Sequence, residues 1–239
     1  MQVTTKAIVF SSLKYGDTSL IVKAFTESDG LKSYLLKGIL SSKRGKLKTA
    51  YFQPLMQLEL IANHKNKGTL ETIREAKPIH PYKTLHTDIL KNSMVLFLAE
   101  MLSNSVQEQG SDTGLFHYLQ YALDWLDHSD PEPNFHILFL LNLTKYLGFY
   151  PDNEYKNASY FDLQEGMFIN APSLNPILEG KTLENFKHFL GINFDVLKTV
   201  HMTRKDRQEL LAKVVLYFGL HLHGFRKPKS LGVLNAVFN

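Results

Sequence analysis

Residues 18–37 read TSLIVKAFTESDGLKSYLLK and contain the pattern that decides the fold. Two runs rich in β-branched and apolar residues, 18–26 and 31–37, flank the pair Asp29-Gly30. This dipeptide is typical of a tight hairpin turn, because glycine adopts positive φ at little cost. The stretch therefore predicts two antiparallel strands joined by a hairpin.

Further strand-like runs lie on both sides of this hairpin. Residues 3–10 precede it, and residues 51–62 and 69–79 follow it. Five short strands leave costly edges if the sheet stays open, and closure into a small barrel removes those edges. An OB-like barrel is our leading interpretation, and the number of strands leaves an SH3-like barrel open as the alternative.

From about residue 84 the apolar residues recur at steps of three and four, which is typical of amphipathic helices. Phe135–Leu147 is apolar nearly all round and is predicted to be a central helix that Gly148 ends. Residues 152–181 have no clear period, apart from a hairpin-like stretch at 160–169. We therefore predict an α+β protein with a five-stranded OB-fold β-barrel over 1–82. An all-helical domain follows over 83–239, with a small irregular hairpin insertion at about 152–181.

The charge of the chain is unevenly distributed. Residues 1–86 carry a net charge of +8 and residues 87–239 carry −4. The centre of the basic part is the loop 38–48, GILSSKRGKLK, and residues 31–50 contain no acidic residue. Such an asymmetry indicates a polyanionic partner for the first module.

A nucleic-acid site on that module would combine lysines and arginines that contact phosphates with an aromatic ring that stacks on bases. Aromatic residues near the basic segments are Tyr15, Phe25, Tyr34, Tyr51 and Phe52. Alternation along the third strand places Tyr34 on the same face as Lys32 and Leu36, which makes Tyr34 the preferred stacking candidate. The predicted binding residues are Lys32, Tyr34, Lys37, Lys43, Arg44, Lys46, Lys48, Lys65 and Lys67.

Two smaller basic groups occur in the helical domain. Arg226, Lys227 and Lys229 are predicted to form a second DNA contact or to bind an acidic peptide, although positive charge near a helix C-terminus is also favourable by itself. A second group opens the last long helix, which Thr203 and Asp206 begin with a capping-box pattern. Its members, candidates for the rim of a partner site, are Arg204, Lys205 and Arg207.

Patterns typical of enzymes are missing from the sequence. There is no cysteine, so cysteine nucleophiles and thiolate metal sites are excluded. The pair Gly45-Lys46 lacks the other residues of a phosphate-binding loop, and the histidines are not spaced as metal ligands. We expect no catalytic residue, no metal and no cofactor. No signal peptide or membrane span is predicted, and we expect a cytoplasmic protein.

The order of several motifs resembles that of the RecO family of bacterial recombination mediators. These motifs are Tyr15-Gly16-Asp17, Leu20-Ile21-Val22, Thr26-Glu27, Gly30, Gly38 with the basic loop, Leu147-Gly148-Phe149-Tyr150-Pro151-Asp152, Leu216-Tyr217, Leu222-His223 and Lys229-Ser230-Leu231. The resemblance implies an N-terminal OB-fold, a helical domain and a non-enzymatic role in recombinational repair. It also implies binding to single- and double-stranded DNA, strand annealing, and loading of RecA onto DNA coated by single-stranded-DNA-binding protein. The implied partners are RecR, RecF and the acidic C-terminal tail of that binding protein.

The chain departs from this family at one point. Many members carry a four-cysteine zinc motif after the Gly-Phe-x-Pro-Asp segment, whereas residues 153–175 contain no cysteine here. We predict that apolar packing by Tyr155, Tyr160, Phe161 and Phe168 replaces the structural effect of the metal.

Two other classes of function fit the same residues. An RNA-binding OB-fold adaptor would have the same barrel and basic loop. A scaffold that binds only proteins would use the lysines for solubility.

Overall fold

The structure is a computed structural model that describes residues 1–41, 47–65, 67–107, 110–152, 154 and 157–238. The chain divides into two compact units, Met1–Asp127 and His128–Asn239. Within the described ranges, no helix has the length and apolar character needed to cross a membrane.

The first unit is built on an antiparallel five-stranded sheet. Its strands are β1 (Gln2–Tyr15), β2 (Ser19–Thr26), β3 (Gly30–Leu36), β4 (Gln57–Asn63) and β5 (Thr72–Pro78), in the spatial order β3-β2-β1-β4-β5. The two edge strands approach each other at one parallel bridge between Tyr34 and Glu71. Leu35 N donates to Glu71 O at 2.9 Å, and Glu71 N donates to Ser33 O at 2.8 Å. The predicted OB-like fold is confirmed, but the sheet is not closed by a continuous ladder.

One face of this sheet carries the core of the first unit. Val9, Val22, Leu58 and Leu60 are fully buried there, together with Tyr34. Phe10 forms a bulge in β1, because Val9 pairs with Ala24 and Ser11 pairs with Lys23. Beyond the bulge β1 continues to Tyr15, five residues past the predicted end of the first strand.

The predicted fourth strand over 51–62 is too long. Thr49–Phe52 is a short 3₁₀ helix, and Leu55 adopts φ 59° in the turn that precedes β4. Leu55 N donates to Val9 O at 2.7 Å, and Val9 N donates to Met56 O at 3.0 Å. The turn at Pro54 therefore ties the start of β4 to β1, and the strand begins only at Gln57.

Two helices complete the first unit, α1 (Ile89–Ser105) and α2 (Thr113–His128). Asp88 caps α1 by accepting hydrogen bonds from the backbone of Leu90 and Lys91. Gln57 Nε2 on β4 donates to Asp124 Oδ1 on α2 at 3.1 Å, which joins sheet and helix. The compact unit Met1–Asp127 thus contains these helices together with the sheet, and the domain boundary at residue 82 stays a prediction.

The second unit is mainly helical, as predicted. Its helices are α3 (Phe135–Leu147), α4 (Gly180–Phe189), α5 (Arg204–His221) and α6 (Leu231–Val237). Gly148 ends α3 with φ 83°, and Thr203 caps α5 by accepting from Asp206 N at 3.2 Å. The insertion contains the predicted hairpin, β6 (Tyr160–Asp162) and β7 (Met167–Ile169). A third strand, β8 (Ile177–Glu179), pairs with β6 and was not predicted.

Candidate nucleic-acid interface

On the third strand, the predicted stacking residue lies on the face that forms the core. Tyr34 and Leu36 point into the core, where both are buried. The ring of Tyr34 is 0% exposed and therefore offers no face to a base. The prediction that Tyr34 stacks on nucleic acid is wrong in this structure, although the alternation that placed it beside Leu36 is correct.

Tyr34 instead joins two turns at one end of the sheet. Its hydroxyl lies 2.7 Å from His64 Nε2, and His64 Nδ1 lies 3.0 Å from Asp29 Oδ2. Burial raises the pKa of the Tyr34 phenol, and the negative charges of Asp29 and Glu71 raise it further. Tyr34 is thus a neutral hydrogen-bonding group in the core.

The carboxyl groups at this end are held in the ionised form or engaged by backbone donors. Burial by itself would raise the pKa of Asp29, but hydrogen bonds from Ser28 and His64 outweigh it, so the pKa is lowered. Both carboxylate oxygens of Glu71 accept from Lys65 N at 2.9 Å. These contacts hold the β4–β5 turn against the β2–β3 hairpin.

This arrangement places three of the predicted lysines at the same end of the sheet. Lys32 lies two residues after the Gly30 hairpin and is half-buried, whereas Lys65 and Lys67 lie in the β4–β5 turn and are exposed. Lysine ammonium groups in turns can reach phosphates without a fixed geometry. The three residues form the first basic group.

The second basic group begins at the opposite end of β3. Lys37 is exposed and directly follows the strand. The backbone then turns, with Gly38 N donating to Ser19 Oγ at 3.4 Å and Leu40 N donating to Thr18 O at 2.9 Å. The basic loop therefore starts against the β1–β2 hairpin.

The rest of this loop is described only in part. Lys43, Arg44 and Lys46 lie outside the described residues. Lys48 is exposed, and its Nζ lies 5.8 Å from the centroid of the Tyr51 ring. At that distance a cation–π contact orients the lysine side chain but leaves its charge available to a phosphate.

The basic residues of the second unit lie at two places. Arg204 and Lys205 are exposed in the first turn of α5, and Arg204 Nη2 donates to Asn235 O at 3.3 Å. Arg207 is half-buried, and its Nε donates to Asn134 Oδ1 at 2.9 Å. Burial lowers the pKa of Arg207, whereas Glu132 opposes that change. The other three predicted basic residues of this unit lie between α5 and α6 and are exposed. They are Arg226, Lys227 and Lys229.

The insertion of the second unit is held by apolar packing and one carboxylate. Phe161 and Phe168 are buried and lie 4.9 Å apart by ring centroids, and Phe186 of α4 lies 4.8 Å from Phe161. Tyr160 is half-buried on β6, and Tyr155 lies outside the described residues.

Asp162 supplies the hydrogen bonds of the same insertion. Its carboxylate is 2% exposed and accepts from Ser173 Oγ at 2.6 Å and from Asn175 Nδ2 at 3.0 Å. The backbone N–H groups of Gln164 and Glu165 complete the set, at 2.9 and 3.0 Å. A four-cysteine zinc motif needs four thiolates and the chain has no cysteine, so the residues of this insertion do not fit that metal. In the described part of the chain, no group of three histidine or acidic side chains could hold a metal ion.

The fold and the basic groups define an α+β protein with an OB-like N-terminal module. Comparison with known proteins gives the family. The model of the recombination protein O N-terminal domain matches residues 1–82, and that of the C-terminal domain matches residues 86–231. The chain belongs to the RecO family of DNA repair and recombination proteins.

Full-length relatives support this assignment. The chain is 50% identical to DNA repair protein RecO of Christiangramia forsetii and 48% identical to DNA repair protein RecO of Flavobacterium johnsoniae, with complete coverage of each chain. DNA repair protein RecO of Phocaeicola vulgatus is 34% identical over 98% of both chains.

Proposed function

We propose that this protein is a non-enzymatic recombination mediator that binds single- and double-stranded DNA through the OB-like module. The observation that carries this proposal is the pair of basic groups at the two ends of β3, in a module with a net charge of +8 over residues 1–86. Exposed lysines that neutralise phosphates release counterions, and this gives binding without sequence preference. The family and the names of the relatives favour DNA over RNA as the polyanion.

Strand annealing follows from the same charges. Two complementary strands repel each other through their phosphates, and a surface that neutralises both backbones reduces that repulsion. The lysines of the two basic groups make non-directional contacts and leave the base edges available for pairing. The protein would thus promote annealing without a chemical step.

We also propose that the protein acts in the bacterial cytoplasm, at the nucleoid, with RecR and RecF. There it would load RecA onto strands coated by single-stranded-DNA-binding protein. The region that follows the OB-like module, residues 87–239, is the expected site for protein partners, because its net charge of −4 disfavours DNA. Within it, the exposed cations Arg204 and Lys205 suit the acidic tail of the single-stranded-DNA-binding protein better than Arg207, which is half-buried.

Two measurements test the proposal. The first is annealing of complementary oligonucleotides, with and without single-stranded-DNA-binding protein. The second is the salt dependence of binding to one single strand, where the slope of log K against log salt is about −0.7 for each neutralised phosphate. Changing Lys43, Arg44 and Lys46 together to Ala should make that slope less negative by roughly 2.

The chain offers a matched control triple. Lys6, Arg74 and Lys77 are exposed on the β1–β4–β5 side of the same unit and have the same charge and composition as the loop triple. Their replacement by Ala should leave the slope closer to that of the unchanged protein. If both triple variants change the salt slope equally, the basic loop is not part of the binding site. Stronger binding to RNA of the same sequence would favour the RNA-binding adaptor, and absence of salt-sensitive binding would favour the protein scaffold.

A further inference from the structure

The outer face of the β1–β2 hairpin carries large apolar side chains that the core does not use. Leu13 pairs with Ile21, and Ile21 pairs with Leu35, so the three form one row across β1, β2 and β3. Tyr15 lies on the same face as Leu13, two residues further along β1. Leu13 is 65% exposed and Tyr15 is 55% exposed. We refer to Leu13, Tyr15, Ile21 and Leu35 as the outer strip.

The outer strip lies opposite the core and beyond the part of the sheet that the helices cover. Leu20 and Val22, the neighbours of Ile21, point into the core. Farther along the outer face, Phe25 is buried and stacks on Phe116 of α2, with ring centroids 6.2 Å apart. Between these two regions Lys23 Nζ donates to Ser103 O at the end of α1, at 3.0 Å. The helices cover the outer face only as far as Lys23, and the side chains of the outer strip are half-buried or exposed.

Positive charge adjoins the outer strip. Tyr15 pairs with Ser19, and Ser19 Oγ accepts from Gly38 N, which directly follows Lys37. Two strand spacings therefore separate Tyr15 from the start of the basic loop, or about 10 Å. Asp17 in the hairpin turn is an acidic side chain at the same end. An aromatic ring beside a basic segment suits a polymer with planar apolar bases and a charged backbone.

We propose that Tyr15 stacks on an unpaired base of single-stranded DNA, with Leu13, Ile21 and Leu35 as the apolar floor and Lys37 as the phosphate contact. The inference rests on the proposed DNA binding and names the residue that distinguishes single strands from duplex. A duplex hides the faces of its bases within the stack, so that Tyr15 gains a partner only on a single strand. The basic groups, in contrast, act on both forms.

Fluorescence anisotropy with three ligands tests this inference. The ligands are a labelled oligothymidine, an abasic oligonucleotide of the same length, and a duplex of the same length. Tyr15→Ala should weaken binding to oligothymidine by roughly 5- to 150-fold, the factor expected for the loss of one base–aromatic stack. Tyr15→Phe should bind as the unchanged protein does, because the ring is kept. The salt slope should stay the same in both variants, because neither removes a charge.

The abasic oligonucleotide separates stacking from other effects of the substitution. The unchanged protein should bind it more weakly than oligothymidine, and Tyr15→Ala should reduce binding to it no further. The matched control is Tyr121→Ala, which removes a tyrosine that is 50% exposed on α2. A thermal melt of each variant shows whether the fold is intact.

The possible outcomes separate this inference from the proposed function. If the unchanged protein binds oligothymidine with a steep salt slope and Tyr15→Ala binds equally well, the stacking inference is wrong and DNA binding stands. Equal weakening for single strand and duplex also overturns it. A dimer in sedimentation that Tyr15→Ala dissociates would assign the outer strip to a second copy instead. If the unchanged protein shows no salt-sensitive binding, the proposed function fails, and the inference fails with it.

Discussion

The hydroxyl of Tyr34 lies 2.7 Å from Nε2 of His64, and both side chains are buried. The two residues are thirty positions apart in the chain. Their contact joins β3 to the end of β4 at the place where the two edges of the sheet meet, beside the bridge between Tyr34 and Glu71. At that point the two edges are thus joined by a buried polar pair and by the two backbone hydrogen bonds of the bridge, rather than by a full ladder.

Tyr34→Phe should destabilise the protein without affecting DNA binding. The change removes the hydroxyl partner of a buried histidine nitrogen, which costs about 1–3 kcal/mol. Urea denaturation should show a lower midpoint with an unchanged slope, and Tyr15→Phe serves as an exposed control. A variant of normal stability that binds single-stranded DNA several-fold more weakly would contradict this account and return Tyr34 to the interface.

Signals close together in the chain predicted much of this fold. The Asp29-Gly30 hairpin, the Gly148 end of α3 and the Thr203 cap each depend on neighbours within a few residues, and all three are present. The face of Tyr34 was assigned wrongly because alternation shows which residues share a face but not which face is inside. The apolar residue Leu36 lies on the same face as Tyr34, and it could have indicated that this face forms the core.

Long-range contacts could not be predicted from the sequence. The pairing of Tyr34 with His64 spans thirty residues, and no local sequence pattern indicates it. The extension of β1 past the bulge at Phe10 brought Tyr15 onto the outer strip, and that bulge has no turn residue to mark it. The three residues of β8 lie in a segment with no hydrophobic period and gain their strand conformation by pairing with β6.

Asp127→Ala should destabilise the first unit. The carboxylate of Asp127 accepts from the backbone N–H groups of Lys83, Thr84 and Leu85 at 2.8–3.1 Å, and it is 4% exposed. Removing the acceptor leaves these donors without their partner, which should lower the free energy of unfolding by about 3 kcal/mol. Asp130→Ala, which removes an exposed carboxylate nearby in the chain, is the control in the same urea titration.

The contribution of Asp127 should also depend on pH. Burial alone would raise its pKa, but the three backbone donors and the Thr84 hydroxyl outweigh that effect and lower it below the ordinary value of 3.8. The stabilisation is therefore complete above about pH 4 and is lost as the pH falls through the lowered native pKa. The difference in stability between the unchanged protein and Asp127→Asn should shrink at acid pH. A difference that stays constant down to pH 2 would rule out the ionised form as its source.

Asp162→Ala should unfold the insertion of the second unit more easily, and chelators should have no effect on the unchanged protein. The substitution removes an acceptor of four hydrogen bonds beside the Phe161–Phe168 contact, at a cost of about 2–4 kcal/mol. Glu165→Ala in the same hairpin is the control, because its side chain is exposed and its backbone donor is kept. Thermal melts with and without EDTA provide the measurement. A melting temperature that EDTA lowers, or stoichiometric zinc in the purified protein, would show that a metal holds this region.

His136 should make the stability of the protein fall in mildly acid solution. The side chain is 2% exposed on α3, and burial, together with the nearby charge of Arg207, lowers its pKa to about 3. In the unfolded chain a histidine titrates near 6.5, so between these two values the unfolded state binds a proton that the native state does not. The free energy of unfolding should therefore decrease as the pH falls below 6.5, by up to about 1.4 kcal/mol for each pH unit.

Urea titrations between pH 7.5 and 5 measure this effect. The free energy of unfolding should depend less steeply on pH in His136→Gln than in the unchanged protein. The control is His223→Gln, which removes an exposed histidine and should behave as the unchanged protein does. Identical slopes in all three proteins over that range would mean that His136 accepts a proton in the folded state, and that its burial does not keep it neutral.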